Sequence, residues 1–345
     1  MIKKRLMGLV MLFLLILLAS CKPEDNGGDR QIKDMANRTV QIPEKVTKVF
    51  SLLPSGTMFV YTIDPELLIG TNYQFNNNER AFILEKYHDL QVYGQSTKIN
   101  WEAVIAAKPD IIIAYSDINV AQKANAEEVE ETTGIPVVMV DGRLEKAPEA
   151  YRFLGTIFDL KSKAEMLATY AEEALDYAAD LKATMDEVSL YYGDGALSLS
   201  TAPVGSPHAE IFELIGAKNV VNTSVGVENR VDITAEQIIA WNPDVVILNG
   251  EPKGDLTPAQ AVAEFKLEYE TLNAVNNDSV YAIPNYPYSW IDRPQSTNRL
   301  IGIYWLASIL YPSSNINIKE EAQVFYELFY HWDLTETEIS LLLGE

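Results

Sequence analysis

Residues 99–114 read Ile-Asn-Trp-Glu-Ala-Val-Ile-Ala-Ala-Lys-Pro-Asp-Ile-Ile-Ile-Ala, and residues 233–248 read Ile-Thr-Ala-Glu-Gln-Ile-Ile-Ala-Trp-Asn-Pro-Asp-Val-Val-Ile-Leu. In each stretch a polar residue, Asn100 or Thr234, is a good N-cap for a short helix. A proline then ends the helix, and the β-branched run after it is typical of a buried parallel strand. The second stretch begins 134 residues after the first. This repetition predicts two lobes of similar structure.

Further strands and helices alternate on both sides of the two repeated stretches. Each predicted strand is a short apolar run that ends at Gly, Pro or polar residues. Strands that alternate with helices form parallel sheets covered on both faces. The fold class is therefore α/β, with two Rossmann-like lobes. The predicted strands are 48–53, 67–71, 111–114, 137–140, 196–200, 245–248 and 280–283.

The stretch from Leu160 to Leu190 contains neither glycine nor proline, and its apolar residues recur at steps of three and four. This spacing predicts one long amphipathic helix. At ~1.5 Å per residue, about 25 residues span roughly 37 Å, which suits a strut between two lobes. The expected organisation is a signal peptide at 1–20, a tether at 21–36, a first lobe at 37–160, the linking helix at 161–188, and a second lobe with a helical tail at 189–345.

The amino terminus has the parts of an export signal: basic residues, a short apolar run and small residues before a cleavage site. The run is shorter than the ~20 residues that span a bilayer. The only cysteine of the chain, Cys21, ends the sequence Leu-Ala-Ser-Cys, which resembles the lipobox of bacterial lipoproteins. That resemblance implies that Cys21 is lipidated and anchors the chain outside the cytoplasm. The alternative is an ordinary signal peptide with an incidental cysteine.

The composition limits the possible functions. The formal net charge is −22, and loss of the basic signal peptide makes the mature chain still more negative. Such a surface repels nucleic acid, and it favours a basic protein partner. Three scattered histidines argue against a bare transition-metal site. We therefore expect no resident metal or cofactor, although a bound cargo could itself carry a metal.

The lipobox, the two α/β lobes and the single linking helix together resemble the substrate-binding proteins of ABC importers. The resemblance is to the group for iron–siderophores, cobalamin and haem, and residues 101–114 are similar to its most recognisable segment. It implies that a ligand lies between the lobes and that one glutamate on each lobe pairs with arginines of a dimeric membrane permease. The matching residues are Glu102 and Glu236. Alternatively, these glutamates only favour the start of a helix.

Ligands of open α/β sheets bind beyond the carboxyl ends of the strands. This rule selects loops in both lobes, and the loop at 285–293 combines two tyrosines, a tryptophan and an arginine. Aromatic rings with one cation suit a large, partly apolar, anionic ligand. The candidate ligand-binding residues are Pro54, Ser55, Tyr73, Tyr115, Ser116, His208, Asn249, Tyr286, Tyr288, Trp290 and Arg293.

Arg293 is the first candidate among these, because a guanidinium can bind a carboxylate, a catecholate or an oxoanion at two points. The neighbouring Asp292 offers another interpretation, an ion pair that only fixes the loop. Arg299 is expected to make a structural ion pair. At least one of the three aromatic residues Tyr286, Tyr288 and Trp290 should face the cleft, and the others could belong to the core.

These features favour a monomeric binding protein that presents a small-molecule metal complex to an ABC permease and performs no catalysis. A ferric siderophore is the first expected cargo, followed by molybdate or tungstate, and then cobalamin or haem. Because a single helix joins the lobes, we expect little closure on binding. The alternatives from other classes are a lipid-anchored enzyme and an adhesin or sensor on the same scaffold.

Overall fold

The structure is a computed structural model that describes residues 29–195, 197–224, 229–249, 257–292 and 294–344. Cys21 and the predicted signal peptide lie outside these residues. The described chain begins with a hairpin of β1 (Asp29–Lys33) and β2 (Thr39–Pro43), paired antiparallel. The segment expected as a tether, residues 21–36, thus includes the first strand of this hairpin.

The first lobe is built on a parallel sheet of β3 (Val49–Ser51), β4 (Ile111–Ser116) and β5 (Val137–Asp141), in the order β3-β4-β5. Parallel bridges between Val49 and Leu68 and between Thr71 and Val92 extend the sheet beyond β3. Strands β3 and β5 are buried throughout, as expected for a sheet covered on both faces. The helices are α1 (Pro54–Ile63), α2 (Asn77–Arg80), α3 (Trp101–Ala107), α4 (Val120–Thr133) and α5 (Ala147–Ile157).

The predicted strut is α6 (Lys161–Thr184), a helix of 24 residues. Its alanine and leucine positions, among them Ala164, Leu167 and Leu181, are buried. It packs so closely on α5 that a Cβ atom added at Gly155 would clash with Ala164. The main core cluster contains side chains of both lobes and of α6, so the helix is part of a continuous core.

The second lobe follows α6 directly. Its strands are β6 (Ser189–Gly193), β7 (Ser200–Thr201), β8 (Lys218–Asn219), β9 (Val231–Asp232), β10 (Val245–Leu248) and β11 (Val280–Ala282). Four of them form a parallel sheet in the order β11-β10-β6-β8, and β7 pairs antiparallel with β9. The helices are α7 (Glu210–Leu214), α8 (Ala235–Trp241), α9 (Pro258–Glu268), α10 (Asn273–Asn276), α11 (Asn298–Leu310), α12 (Ile318–Phe325), a π-helical turn (Tyr326–Tyr330) and α13 (Glu336–Leu343).

The α/β fold with two parallel sheets and one long helix is confirmed, but one predicted strand is wrong. Residues 196–200 were expected in the second sheet, whereas the sheet strand there is β6. The buried pair Tyr191 and Tyr192 occupies the sheet, and within the described residues 197–200 only Ser200 belongs to a strand, the short β7. The predicted strand at 67–71 is reduced to isolated bridges.

The repeated stretches form matching helices. Both α3 and α8 have seven residues, and their N-cap side chains, Asn100 and Thr234, accept hydrogen bonds from the backbone N–H groups three residues later. Each helix ends at a residue with positive φ, Lys108 (51°) or Asn242 (43°), directly before the proline. Among the described residues, no helix is both long enough and apolar enough to cross a bilayer.

Candidate functional site

A polar contact joins the two lobes near the carboxyl ends of their strands. The Arg299 side chain of α11 donates to Glu210 Oε2 at 2.7 Å and to the carbonyl oxygen of Gly142 at 3.1 Å. Glu210, at the start of α7, accepts from the backbone N–H of Leu144 at 3.0 Å. Gly142 directly follows β5 of the first lobe, whereas Arg299 and Glu210 belong to the second. We call these four residues the interlobe latch, and the structural pairing expected for Arg299 is confirmed.

Charged groups of the first lobe surround this latch. Asp117 lies just beyond β4, and burial raises the pKa of its carboxyl group, with a further contribution from the negative charge of Glu210. Asp141 ends β5 and pairs with Arg143 at 2.7 Å. Tyr115 is buried against Phe59, with ring centroids 4.8 Å apart, and desolvation raises the pKa of its hydroxyl group. Tyr115, a predicted ligand contact, is therefore almost entirely buried, with 4% of its surface exposed.

A second polar network lies at the carboxyl ends of the strands in the second lobe. Arg230 forms ion pairs with Asp194, which follows β6, and with Asp292. His208 Nδ1 lies 2.8 Å from Asp292 Oδ1. The predicted site residue Asn249 follows β10 and donates from Nδ2 to Asp194 Oδ1 at 3.2 Å. We call Arg230, Asp194 and Asp292 the buried triad. Asp292 is thus engaged by Arg230, a partner that the sequence analysis did not identify.

The structure brings His208 close to the latch, because only one residue separates it from Glu210 at the start of α7. Ser116 is half-buried beside Asp117 on the opposite side. His208 thus contacts Asp292 of the buried triad and lies two residues before Glu210 of the latch in the chain. The latch brings the carboxyl end of β5 against α7 and α11 of the second lobe, and ligands of open α/β sheets bind at such strand ends.

Other predicted site residues lie at the margin of this region. Pro54 and Ser55 form the first turn of α1 and are half-buried. The Tyr73 hydroxyl donates to Glu79 Oε1 at 2.7 Å. Tyr286 is half-buried, and its ring stands edge-on to Phe82 with centroids 5.9 Å apart. These side chains retain exposed surface, so contact with a ligand stays a prediction for each of them.

Two of the predicted aromatic contacts are core residues instead. Trp290 has 0% exposure, and its Nε1 donates to the Tyr326 hydroxyl at 3.2 Å. Tyr288 is 3% exposed. The reason is the carboxyl-terminal tail, whose π-helical turn covers this loop with aromatic side chains. Trp290 and Tyr288 are therefore core residues, as the sequence allowed for two of the three aromatic residues, and direct ligand contact by either is excluded, whereas Tyr286 keeps exposed surface. Arg293, the first candidate for binding an anion, lies outside the described residues.

A groove of about 600 Å³ opens in the first lobe between α4 and the loop that leads into α3. Its apolar side includes Leu53, Ile99 and Trp101, and its polar side includes Gln122 and Asn125. It also reaches the predicted site residues Tyr115 and Ser116. A groove of this volume lies within the range of pockets that hold drug-sized ligands.

The two predicted docking residues are exposed. Glu102 lies in the first turn of α3, and Glu236 lies at the equivalent position of α8. Hydrogen bonds from its own backbone N–H and from Thr234 lower the pKa of Glu236. Among the described residues, no group of three or more His, Cys, Asp or Glu side chains could hold a metal ion.

The latch should contribute measurably to stability. Arg299 is 3% exposed and Glu210 21%, so Arg299→Met leaves a partly buried carboxylate without its cation. We expect the free energy of unfolding to fall by about 2–3 kcal/mol. A double-mutant cycle with Glu210→Gln, measured by urea unfolding, should show coupling between the two residues. The exposed pair Arg152–Glu165 is the control, and a similar coupling there would contradict this role of the latch.

The model of the periplasmic binding protein family matches residues 63–287, well over half of the chain. A solute-binding protein of an ABC transporter from Sulfurospirillum deleyianum is 28% identical. Its structure superposes with a TM-score of 0.82 and covers 92% of this chain and 99% of its own.

Two further similar proteins bind ligands that differ from each other. A vitamin B12-binding protein of Vibrio campbellii is 26% identical over 263 residues, which cover 72% of this chain and 84% of that protein. A molybdate-bound periplasmic binding protein of Haemophilus influenzae is 19% identical, with a TM-score of 0.70 over 89% of this chain and 99% of its own, and this likeness supports the fold alone. Binding proteins of this kind work outside the cytoplasm and deliver a solute to an ABC permease. The family predicted from the sequence is confirmed: the chain belongs to the periplasmic binding protein family.

Proposed function

We propose that this chain is a lipoprotein, anchored through Cys21, that captures a metal complex in the interlobe cleft and delivers it to a dimeric ABC permease. The main support is the repeated pair of helices, α3 and α8, each of which exposes one glutamate at the same position. Two equivalent carboxylates, one on each lobe, can orient a monomer on a two-fold symmetric partner. Membership of a family of binding proteins supports this role over that of a lipid-anchored enzyme.

The charge of the cleft favours a neutral or cationic cargo. Among the described residues near the strand ends, carboxylates outnumber guanidinium groups. This excess of negative charge repels an anion, and the repulsion is stronger where the dielectric constant is low. The carboxylates are Asp117, Asp141, Asp194, Glu210 and Asp292, and the guanidinium groups are Arg143, Arg230 and Arg299. A small oxoanion such as molybdate is therefore a weaker candidate than an amide-rich metal complex.

A corrinoid such as cobalamin is the cargo we propose first. Its peripheral amides can donate hydrogen bonds to the carboxylates near the strand ends, such as Asp117 and Glu210, and it needs no cation of the protein for binding. The vitamin B12-binding relatives from Vibrio campbellii and Pectobacterium carotovorum are consistent with this choice. A ferric siderophore is the second candidate, supported by the half-buried ring of Tyr286 and by Arg293, seven residues later in the sequence.

Direct titration distinguishes these cargoes. The chain would be purified with Cys21→Ser to prevent lipidation, and calorimetry would be performed with cyanocobalamin, a ferric catecholate chelate and molybdate. We expect saturable binding of one cyanocobalamin per chain and weaker or no binding of molybdate. Tighter binding of the ferric chelate would assign the second candidate instead, and failure of every metal complex to bind would overturn the proposed class of cargo.

A further inference from the structure

Helices α3 and α8 share a second exposed residue besides the glutamate. Ile105 is 43% exposed and Ile239 is 47% exposed, and each follows its glutamate by three residues. Positions three apart lie on the same face of a helix. The repeated helices therefore present an apolar side chain directly beside a carboxylate, once on each lobe.

Neither isoleucine is explained by the packing of its own lobe. The preceding residues, Val104 and Ile238, fill the core with 0% exposure. A β-branched residue is also a poorer helix former than the polar residues normally found on an exposed face. Single exposed apolar residues are common on protein surfaces, but here the same residue recurs at the same helical position. An exposed alanine, Ala106 or Ala240, follows in both helices.

We propose that these residues form two copies of one docking face, Glu102–Ile105–Ala106 on α3 and Glu236–Ile239–Ala240 on α8. The partner is a dimer of identical subunits, each of which presents a basic side chain next to an apolar surface. This inference rests on the proposed function, and the partner is accordingly the membrane permease. The repetition itself carries the argument, because identical patches on one chain match identical patches on two subunits.

The two kinds of side chain have different tasks. The glutamates attract and orient the basic partner, so they mainly affect the association rate and its dependence on salt. The isoleucine side chains are removed from water only once the complex has formed. They therefore mainly affect the dissociation rate. The small alanines allow a close approach of the helix to the partner. The permease contact is thus predicted to be apolar at both points of attachment as well as ionic.

The test measures binding kinetics between the full chain and the permease–ATPase complex of the producing organism in lipid nanodiscs. Ile105→Ser and Ile239→Ser should each weaken binding by about tenfold, mainly through faster dissociation and with an unchanged salt dependence. The two effects should be of similar size, and the double variant should lose about 100-fold, because the sites lie on separate lobes. Val324→Ser, at a residue 50% exposed on α12, is the matched control and should bind normally.

The outcomes separate this inference from the proposed function. If the wild-type chain binds and Glu102→Gln weakens it, but the isoleucine variants behave like Val324→Ser, the docking role of the isoleucines is wrong and the proposed function stands. If the wild-type chain does not bind the complex at all, both are overturned. A dimer of this chain that the isoleucine substitutions dissociate would assign the face to self-association and also overturn the inference. Thermal unfolding of each variant establishes that it is folded.

Discussion

Replacing Glu102 and Glu236 together with glutamine is expected to abolish uptake of the cargo by cells while its affinity for the purified chain stays unchanged. Both side chains are exposed on the surface and lie in the first turns of α3 and α8. Glutamine keeps their size and removes the two charges that would pair with basic residues of the permease. The loss of a favourable interaction with each helix dipole is worth at most about 1 kcal/mol, so the fold should survive.

The measurement has two parts, uptake of labelled cargo by cells and titration of the same cargo into the purified variant. Glu127→Gln with Glu131→Gln is the matched control, because both of these residues are exposed on α4 and the charge change is equal. The control should transport normally. Reduced cargo affinity in the Glu102 and Glu236 variant would show that these residues serve the ligand site, and normal uptake would exclude a docking role.

The repeated helices could be located from sequence because every signal that defines them is local. Asn100 and Thr234 cap their helices within three residues, and the helices end at residues of positive φ just before prolines. The long helix was also predictable, since its apolar spacing persists over six turns. Its carboxyl end was not, because the apolar residues of β6 follow after a gap of only four residues. The predicted helix therefore extends to residue 188, four residues past the end of α6 and directly before β6.

The site was harder to predict because its contacts join distant parts of the chain. Trp290 is covered by Tyr326, 36 residues later, and nothing near Trp290 indicates that partner. Arg230 lies 36 residues from Asp194 and 62 from Asp292, in a polar loop without a recognisable motif. The rule that ligands bind at strand ends selected Asn249 and His208, which contact the buried triad, and their contact with a ligand stays a prediction. It could not show which charges pair there, since pairing depends on how the two sheets approach each other.

Arg230→Met should be the most destabilising single substitution in the cleft, lowering the free energy of unfolding by about 3–5 kcal/mol. The Arg230 side chain is 11% exposed, and those of Asp194 and Asp292 are 2% and 0% exposed. Methionine fills similar volume but leaves two buried carboxylates without their shared cation. Urea unfolding measures the change, and Arg143→Met is the control, because Arg143 is 44% exposed in its pair with Asp141.

The variant should also bind cargo more weakly, because Arg230 fixes two segments that reach the cleft. Asp194 directly follows the central strand β6, and Asp292 holds the imidazole of His208, two residues before α7. Without the guanidinium, repulsion between the carboxylates would move both segments and thereby His208. Equal losses of stability in the Arg230 and Arg143 variants would contradict the buried triad as the main electrostatic support of the site. A stable Arg230 variant with unchanged cargo affinity would show that the triad serves neither folding nor binding.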